Sequence, residues 1–114
     1  MTKQEKTVID RFDDYQREAG KYASYPEKHA LTYPFIGLAN ETGEALGKLK
    51  KIMRGDSPKP TTEELADELG DVLWYLSACA TACGYTLKEV AGMNLKKLAR
   101  RFKNGTVKGS GDKR

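Results

Sequence analysis

Two stretches of the sequence decide the fold: GLANETGEALGKLKKIMRGD at residues 37–56 and ELADELGDVLWYL at residues 64–76. In both stretches apolar residues return every three or four positions, which is the spacing of one face of an α-helix. Each stretch also contains two acidic residues three positions apart. The pattern therefore predicts two amphipathic helices that carry carboxylates at the edges of their apolar faces.

The rest of the chain has the same helical periodicity, and no segment of useful length alternates with the period of a β-strand. Thr61 with Glu64 and Thr86 with Glu89 have the spacing of capping boxes, which mark helix starts. We therefore predict an all-α protein, a four-helix bundle in a single domain over residues 1–114. The predicted helices span residues 3–19, 34–54, 61–83 and 86–103, and a Gly-rich basic segment covers 104–114.

The composition predicts one small soluble domain. A chain of 114 residues, 39% of them hydrophobic and 32% charged, has room for a single modest core. The longest run without charge, residues 72–87, is too short and too polar to span a bilayer. The first residues lack the pattern of a signal peptide. We therefore expect a cytoplasmic protein whose Cys79 and Cys83 are buried thiols and not a disulfide.

The charge is unevenly distributed along the chain. Residues 96–114 contain eight Lys and Arg against one Asp, a formal charge of +7, whereas the whole chain carries +4. The preceding residues are therefore acidic by three charges. A basic end of this kind suits nucleic acid, and it suits equally a small polyanion held by cations.

The acidic pairs are Glu41 with Glu44 and Glu68 with Asp71, each at i, i+3 on one helix face. At about 100° per residue, Glu41 falls within roughly 20° of the apolar Ile52. Most such pairs are simply solvated surface. Two pairs bordering buried faces would repel each other and be desolvated, and cations relieve both costs.

The surrounding residue types indicate which cation these acids would hold. The single histidine, His29, lies in a predicted loop, so neither the Glu-x-x-His motif of di-iron bundles nor a zinc site is present. Mg²⁺ prefers oxygen ligands and keeps waters that can orient phosphate oxygens. We predict a Mg²⁺ site, with Mn²⁺ as an alternative ion.

Several side chains near these acids could contact an anionic substrate. Lys48 follows Glu44 by one turn and could reach a metal-bound phosphate, although an ion pair with Glu44 explains it equally well. Asn94, Lys97 and Arg101 share one face of the last helix, where a solvated basic helix end is the simpler explanation. Tyr75 lies one turn beyond Asp71 and could contact a sugar, or could be a core aromatic.

Three other residues suggest contact with something outside their own helix. Gly43 and Gly47 each cost roughly 1 kcal/mol relative to Ala in a helix interior, so we expect a backbone or ligand to approach closely there. Trp74 lies away from the main apolar stripe. We expect it to pack on another subunit.

Taken together, these residues resemble the MazG-like all-α nucleoside triphosphate pyrophosphohydrolases. The hallmark of that family is E-x-x-E, a spacer and E-x-x-D, and here it is formed by Glu41, Glu44, Glu68 and Asp71. Further similarities are TYPFIGLANETGEA at residues 32–45, the pair Tyr15 and Gln16, N-x-x-K-L-x-x-R from Asn94 to Arg101, and the ending from Gly105 to Arg114. The ending resembles a compact branch found in phages and bacteria.

The resemblance implies Mg²⁺-dependent hydrolysis of (d)NTPs between the α- and β-phosphates, giving (d)NMP and pyrophosphate, an activity that would serve nucleotide-pool cleansing. It implies that the four acids hold the metal. Glu44 and Glu68 are candidates for the general base, because each borders an apolar stripe. A homodimer or homotetramer is expected, since four short helices leave little core.

Two other classes of function remain open at this point. One is a small helical nucleic-acid-binding or regulatory module that uses the basic C-terminal end, although no known reading motif is present. The other is a structural oligomer without catalysis. Neither explains why two acidic pairs border predicted buried faces, so the sequence favours the hydrolase, with no membrane partner and nucleic acid disfavoured.

Overall fold

The computed structural model describes residues 11–56 and 58–111. That part of the chain contains four α-helices, a short 3-10 helix at Glu27–His29 and no β-strand. The predicted all-α class is confirmed. The helices are α1 (Phe12–Gly20), α2 (Thr32–Met53), α3 (Thr62–Ala82) and α4 (Leu87–Lys103).

The starts of α3 and α4 follow directly from local sequence. Thr61 and Glu64 form a complete capping box, in which the Thr61 hydroxyl accepts from the Glu64 amide and the Glu64 carboxylate accepts from the Thr61 amide. Thr86 and Glu89 do the same for α4. Each box satisfies amides that have no partner within the helix, so these two starts agree with the prediction.

The first two helices differ from their predicted bounds. Helix α2 begins at Thr32, two residues before Pro34. Proline is tolerated there because amides of the first turn have no intrahelical partner. Helix α1 begins at Phe12, after an extended Arg11, so the helix predicted over residues 3–19 is not continuous through Arg11. The remainder of that prediction, residues 3–10, lies outside the described residues.

Helices α2 and α3 are antiparallel and form the most extensive helix pair of the described chain. Gly37 at the start of α2 lies against Tyr75 late in α3, and Lys48 near the end of α2 pairs with Glu68 nearer the start of α3. Helix α1 packs against α3 and α4, and Trp74 and Thr81 are the α3 residues that hydrogen-bond to it. Helix α3 therefore contacts both α1 and α2.

Side-chain hydrogen bonds attach α1 to the rest of the bundle. The amide of Gln16 donates to the Thr81 hydroxyl at 2.9 Å and to the Tyr85 carbonyl at 3.1 Å, and its oxygen accepts from the Leu87 amide at 2.9 Å. Trp74 donates from Nε1 to the Ala19 carbonyl at 3.0 Å. Trp74 thus has a hydrogen-bond partner within its own chain and stays half-buried, and its role on another subunit stays a prediction.

The bundle buries few side chains. Among the described residues, Pro34 is fully buried, and the other buried apolar residues are Ala19, Cys79, Ala80 and Leu87. Large apolar side chains remain exposed, with Met53 at 88% and Phe102 at 82%. Cys79 is buried but Cys83 is exposed, so the expectation of two buried thiols is wrong for Cys83.

None of the helices within the described ranges has the length and apolar character needed to cross a membrane.

Candidate active site

The acidic residues of α2 and α3 converge where the two helices face each other. Glu41, Glu44 and Glu68 each place a carboxylate oxygen within 4.8 Å of the other two. The i, i+3 spacing puts the first two on one face of α2, and the antiparallel packing brings the third to them from α3. We call these three residues the acid trio.

Two oxygens of the acid trio are unsatisfied. Glu41 Oε2 and Glu68 Oε2 are buried, and neither has a hydrogen-bond partner among the described residues. A buried carboxylate oxygen without a partner costs more than the same oxygen in water. The acid trio therefore lowers the stability of the fold by itself, and its oxygens are suitable ligands for a hard cation.

The pKa of Glu41 reflects its burial beside other carboxylates. Burial raises the pKa of Glu41 above its usual value of 4.5, and the neighbouring charges of Glu44, Asp71 and Glu68 raise that pKa further, as does a hydrogen bond with Glu44. Each of these causes disfavours the ionised carboxylate. A divalent cation would reverse that preference, because it adds positive charge where three carboxylates meet.

Asp71, the fourth predicted ligand, lies at the edge of the acid trio. It is exposed and is not one of the three carboxylates that meet within 4.8 Å. Its charge nevertheless acts on Glu41, on Tyr15 of α1 and on Tyr75, and raises the pKa of each after the larger effect of burial. Asp71 thus lies close enough to the acid trio for its charge to affect the pKa of Glu41.

Lys48 places a positive charge in direct contact with the acid trio. Its Nζ lies 2.9 Å from Glu68 Oε1, with the two side chains 35% and 14% exposed. The hydrogen bond to Glu68 is the main cause that raises the pKa of Lys48. The sequence suggested Glu44 as an ion-pair partner on the same helix, whereas the partner in the fold is Glu68 across the helix pair.

Aromatic side chains lie on the opposite side of the acid trio from Lys48. A Cβ at Gly37 would clash with the Tyr75 ring, so glycine at that position lets the ring lie directly on α2. Burial raises the pKa of Tyr75, as do the charge of Tyr33 and a hydrogen bond with it. The Tyr33 ring is in turn stacked on Tyr25, with centroids 4.7 Å apart.

The close approach expected at Gly43 and Gly47 is not found among the described residues, because none of their atoms outside the neighbouring backbone of α2 lies within 4 Å of a Cβ built at either position. It occurs instead at Gly37. Gly37, Tyr33 and Gln16 were not predicted as site or positioning residues. A glycine inside the α2 apolar pattern was the available signal for the first of them.

The predicted substrate-binding residues of α4 lie apart from the acid trio. Asn94 and Lys97 line a groove of about 440 Å³, together with Phe35 and Leu76, and none of the four predicted metal ligands lines it. Arg101 is buried, and its Nη2 donates to the Gly111 carbonyl at 3.5 Å. The segment from 104 to 111 thus folds back on α4.

The fold and the acid trio define the class of protein: it is all-α, with carboxylates that converge from two antiparallel helices and a lysine beside them. Comparison with known proteins gives the particular family. The model of the MazG nucleotide pyrophosphohydrolase domain matches residues 32–106, from the start of α2 past the end of α4. The chain belongs to the MazG nucleotide pyrophosphohydrolase family.

A relative from a phage supports that membership. The Gene 37 protein of Mycobacterium phage L5 is 38% identical over 111 residues, which cover 90% of this chain and 97% of that protein. No solved structure matches the chain.

Proposed function

We propose that the protein is a Mg²⁺-dependent hydrolase that converts (d)NTPs to (d)NMP and pyrophosphate. The observation that carries the proposal is the acid trio, in which Glu41, Glu44 and Glu68 bring carboxylate oxygens within 4.8 Å of one another. Membership of the MazG nucleotide pyrophosphohydrolase family supports the reaction class. Nucleotide-pool cleansing is the role we propose for this activity, in the cytoplasm.

Glu41, Glu44 and Glu68 would hold Mg²⁺ or Mn²⁺, with Asp71 as a fourth ligand at the edge. When bound, the ion neutralises phosphate charge and lowers the pKa of a coordinated water. The trio fits a hard cation because all its donors are carboxylate oxygens and two of them are buried without a partner.

The chain's own residues would position and deprotonate the attacking water. The oxygen of that water bonds to the α-phosphorus, the bond from that phosphorus to the bridging oxygen breaks, and pyrophosphate leaves. Glu44, the exposed member of the trio, and Glu68, which Lys48 contacts, are the two candidates for the base that accepts the proton. Lys48 would bind phosphate oxygens as a point charge.

We propose that Tyr75 contacts the nucleoside and that Asn94, Lys97 and Arg101 contribute to substrate binding from α4. Asn94 and Lys97 line a groove separate from the acid trio, so they would serve a site completed between chains. A homodimer or homotetramer is supported by the exposed apolar side chains of α2 and α4, which water would otherwise contact.

The test is a panel of individual NTPs and dNTPs incubated with Mg²⁺, with Mn²⁺ and with excess chelator. We expect monophosphate and pyrophosphate in equal amounts from at least one nucleotide, and no products in chelator. Absence of both products with every nucleotide, in a protein with a helical circular dichroism spectrum, would contradict the proposal. A preference for some nucleotides in the panel would define the base and sugar specificity.

A further inference from the structure

A second polar feature lies at the end of the α2–α3 pair, beyond Lys48. It is a cleft of about 500 Å³ between the last turns of α2, the loop that follows and the first turn of α3. Lys48, Lys51 and Lys59 line it, together with Asp56 and Glu64. We call it the lysine cleft.

The carboxylates of the lysine cleft do not neutralise all of its lysines. Arg54 binds Asp56 through two guanidinium nitrogens, and the Glu64 carboxylate accepts from the Thr61 amide in the capping box. Among the described residues, neither Lys51 nor Lys59 forms an ion pair. Two ammonium groups in this cleft are therefore available to an anion.

The local sequence fixes the backbone that carries these lysines. Gly55 has a φ of +83°, which ends α2 and turns the chain, and the residues on both sides of Lys59 are prolines, with fixed φ. Side chains on a helix lean toward its N-terminus, so Lys51 leans back along α2 toward Lys48. Lysines from a helix and from a restrained loop therefore share one cleft.

The lysine cleft adjoins the acid trio through Lys48, which lines the cleft and also contacts Glu68 at 2.9 Å. Along α2 the order is Gly37 with the tyrosines, then the acid trio, then the lysines. A triphosphate centred at the trio has two directions in which its terminal phosphates could lie. The lysine cleft offers them two cations, Lys51 and Lys59, that form no ion pair among the described residues. In the other direction the trio is followed by the uncharged Tyr75 and Tyr33.

We propose that the lysine cleft binds the β- and γ-phosphates of the substrate and holds pyrophosphate before its release. This inference rests on the proposed function, and it adds the orientation of the substrate, with the nucleoside on the tyrosine side. Lysine ammonium groups bind phosphate oxygens through charge-assisted hydrogen bonds, and two such contacts favour pyrophosphate, with two phosphate groups, over the single phosphate of a nucleoside monophosphate.

The test measures binding of inorganic pyrophosphate and of a nucleoside monophosphate by titration calorimetry, in Mg²⁺ and in chelator. The variant is Lys51→Gln with Lys59→Gln, and the matched control is Lys50→Gln, which changes an exposed lysine of α2 outside the cleft. We expect the double variant to bind pyrophosphate about tenfold or more weakly. Its monophosphate affinity should stay unchanged.

A Lys51→Arg, Lys59→Arg protein keeps both charges and should retain most of the pyrophosphate affinity. Equal pyrophosphate affinity in the wild type and the double glutamine variant would overturn the proposal, as would an equal loss in Lys50→Gln. The binding data also separate this proposal from the proposed function. If pyrophosphate binding requires the two lysines but no NTP is hydrolysed, the cleft is supported and the hydrolase is not.

Discussion

The two sides of α3 are built in opposite ways. Toward α1, Trp74 and Thr81 have their polar atoms paired, with the Ala19 carbonyl and the Gln16 amide. Toward α2, Glu68 has one oxygen paired with Lys48 and the other buried without a hydrogen-bond partner among the described residues. The α1 side is thus satisfied within the chain, and the α2 side is not.

This difference separates a structural contact from a candidate site. Buried polar groups that are fully hydrogen-bonded stabilise a fold, whereas buried groups left unpaired cost stability and are retained only where something else satisfies them. Substitutions in the acid trio on the α2 side should therefore affect activity more than stability. Substitutions on the α1 side should do the reverse.

The largest effect is expected at the acid trio. Glu41→Gln removes a charge from the centre of the trio, so hydrolysis should fall by more than about 100-fold. Asp71→Asn, at the edge, should cost about 10- to 100-fold. Rates of pyrophosphate release at saturating nucleotide measure both.

Glu63→Gln, an acid in the first turn of α3 and outside the trio, is the control and should retain full activity. A Glu41→Gln protein that keeps at least half of the wild-type rate would refute the metal assignment.

The next effect concerns the contact between Gly37 and Tyr75. Gly37→Ala forces a methyl group into the Tyr75 ring and should destabilise the protein by about 1–3 kcal/mol. Gly43→Ala lies on the same helix, where no described side chain or more distant backbone comes within 4 Å of the added carbon, and it should instead stabilise the protein by up to about 1 kcal/mol. Urea unfolding measures both.

If Gly43→Ala were as destabilising as Gly37→Ala, atoms outside the described residues, such as those of a second chain, would have to lie against that part of α2.

A smaller loss of stability is expected on the α1 side. Gln16→Ala removes three hydrogen bonds that tie α1 to the turn between α3 and α4, which should cost about 1–2 kcal/mol. Arg17 is the neighbouring exposed residue, and its ion pair among the described residues is a local one with Asp14, so Arg17→Ala should change stability by less than about 0.5 kcal/mol. Equal losses in the two variants would show that Gln16 does not hold α1.

The smallest effect is the pH dependence of the metal-free protein. Because the folded-state pKa of Glu41 is raised above 4.5, its stabilising contribution is complete below the ordinary pKa and is lost as the pH rises through the raised value. The Tm of the wild type in chelator should therefore fall relative to that of Glu41→Gln as the pH rises over that range. Added Mg²⁺ should restore the wild type only.

The sequence was sufficient where the determining interaction is local. The Thr61 and Thr86 capping boxes involve residues three positions apart, so both helix starts could be predicted. The pairing of Glu41 with Glu44 likewise follows from helical geometry alone. The start of α1 at Phe12 was missed, because the apolar pattern continues through Arg11 although its backbone is extended.

Interactions between helices could not be predicted in the same way. From the sequence, an ion pair of Lys48 with Glu44 on the same helix was expected. The packing of α2 on α3 instead brings Glu68 to Lys48. The sequence also shows that Trp74 lies away from the main apolar stripe of its helix. Its hydrogen bond to the Ala19 carbonyl depends on where α1 packs. The sequence shows several basic residues near position 101. In the fold, Arg101 is buried and donates to the Gly111 carbonyl of the segment that follows α4.

The sequence by itself determined the helical class, the two capped helix starts and the acidic residues that form the candidate site, because each depends on spacing within one helix. The tertiary structure decided that Glu41, Glu44 and Glu68 meet while Asp71 stays at the edge, and that lysines of α2 and of the following loop share a cleft. The physical reason is that these arrangements depend on the relative position and rotation of two packed helices, which no single helix encodes.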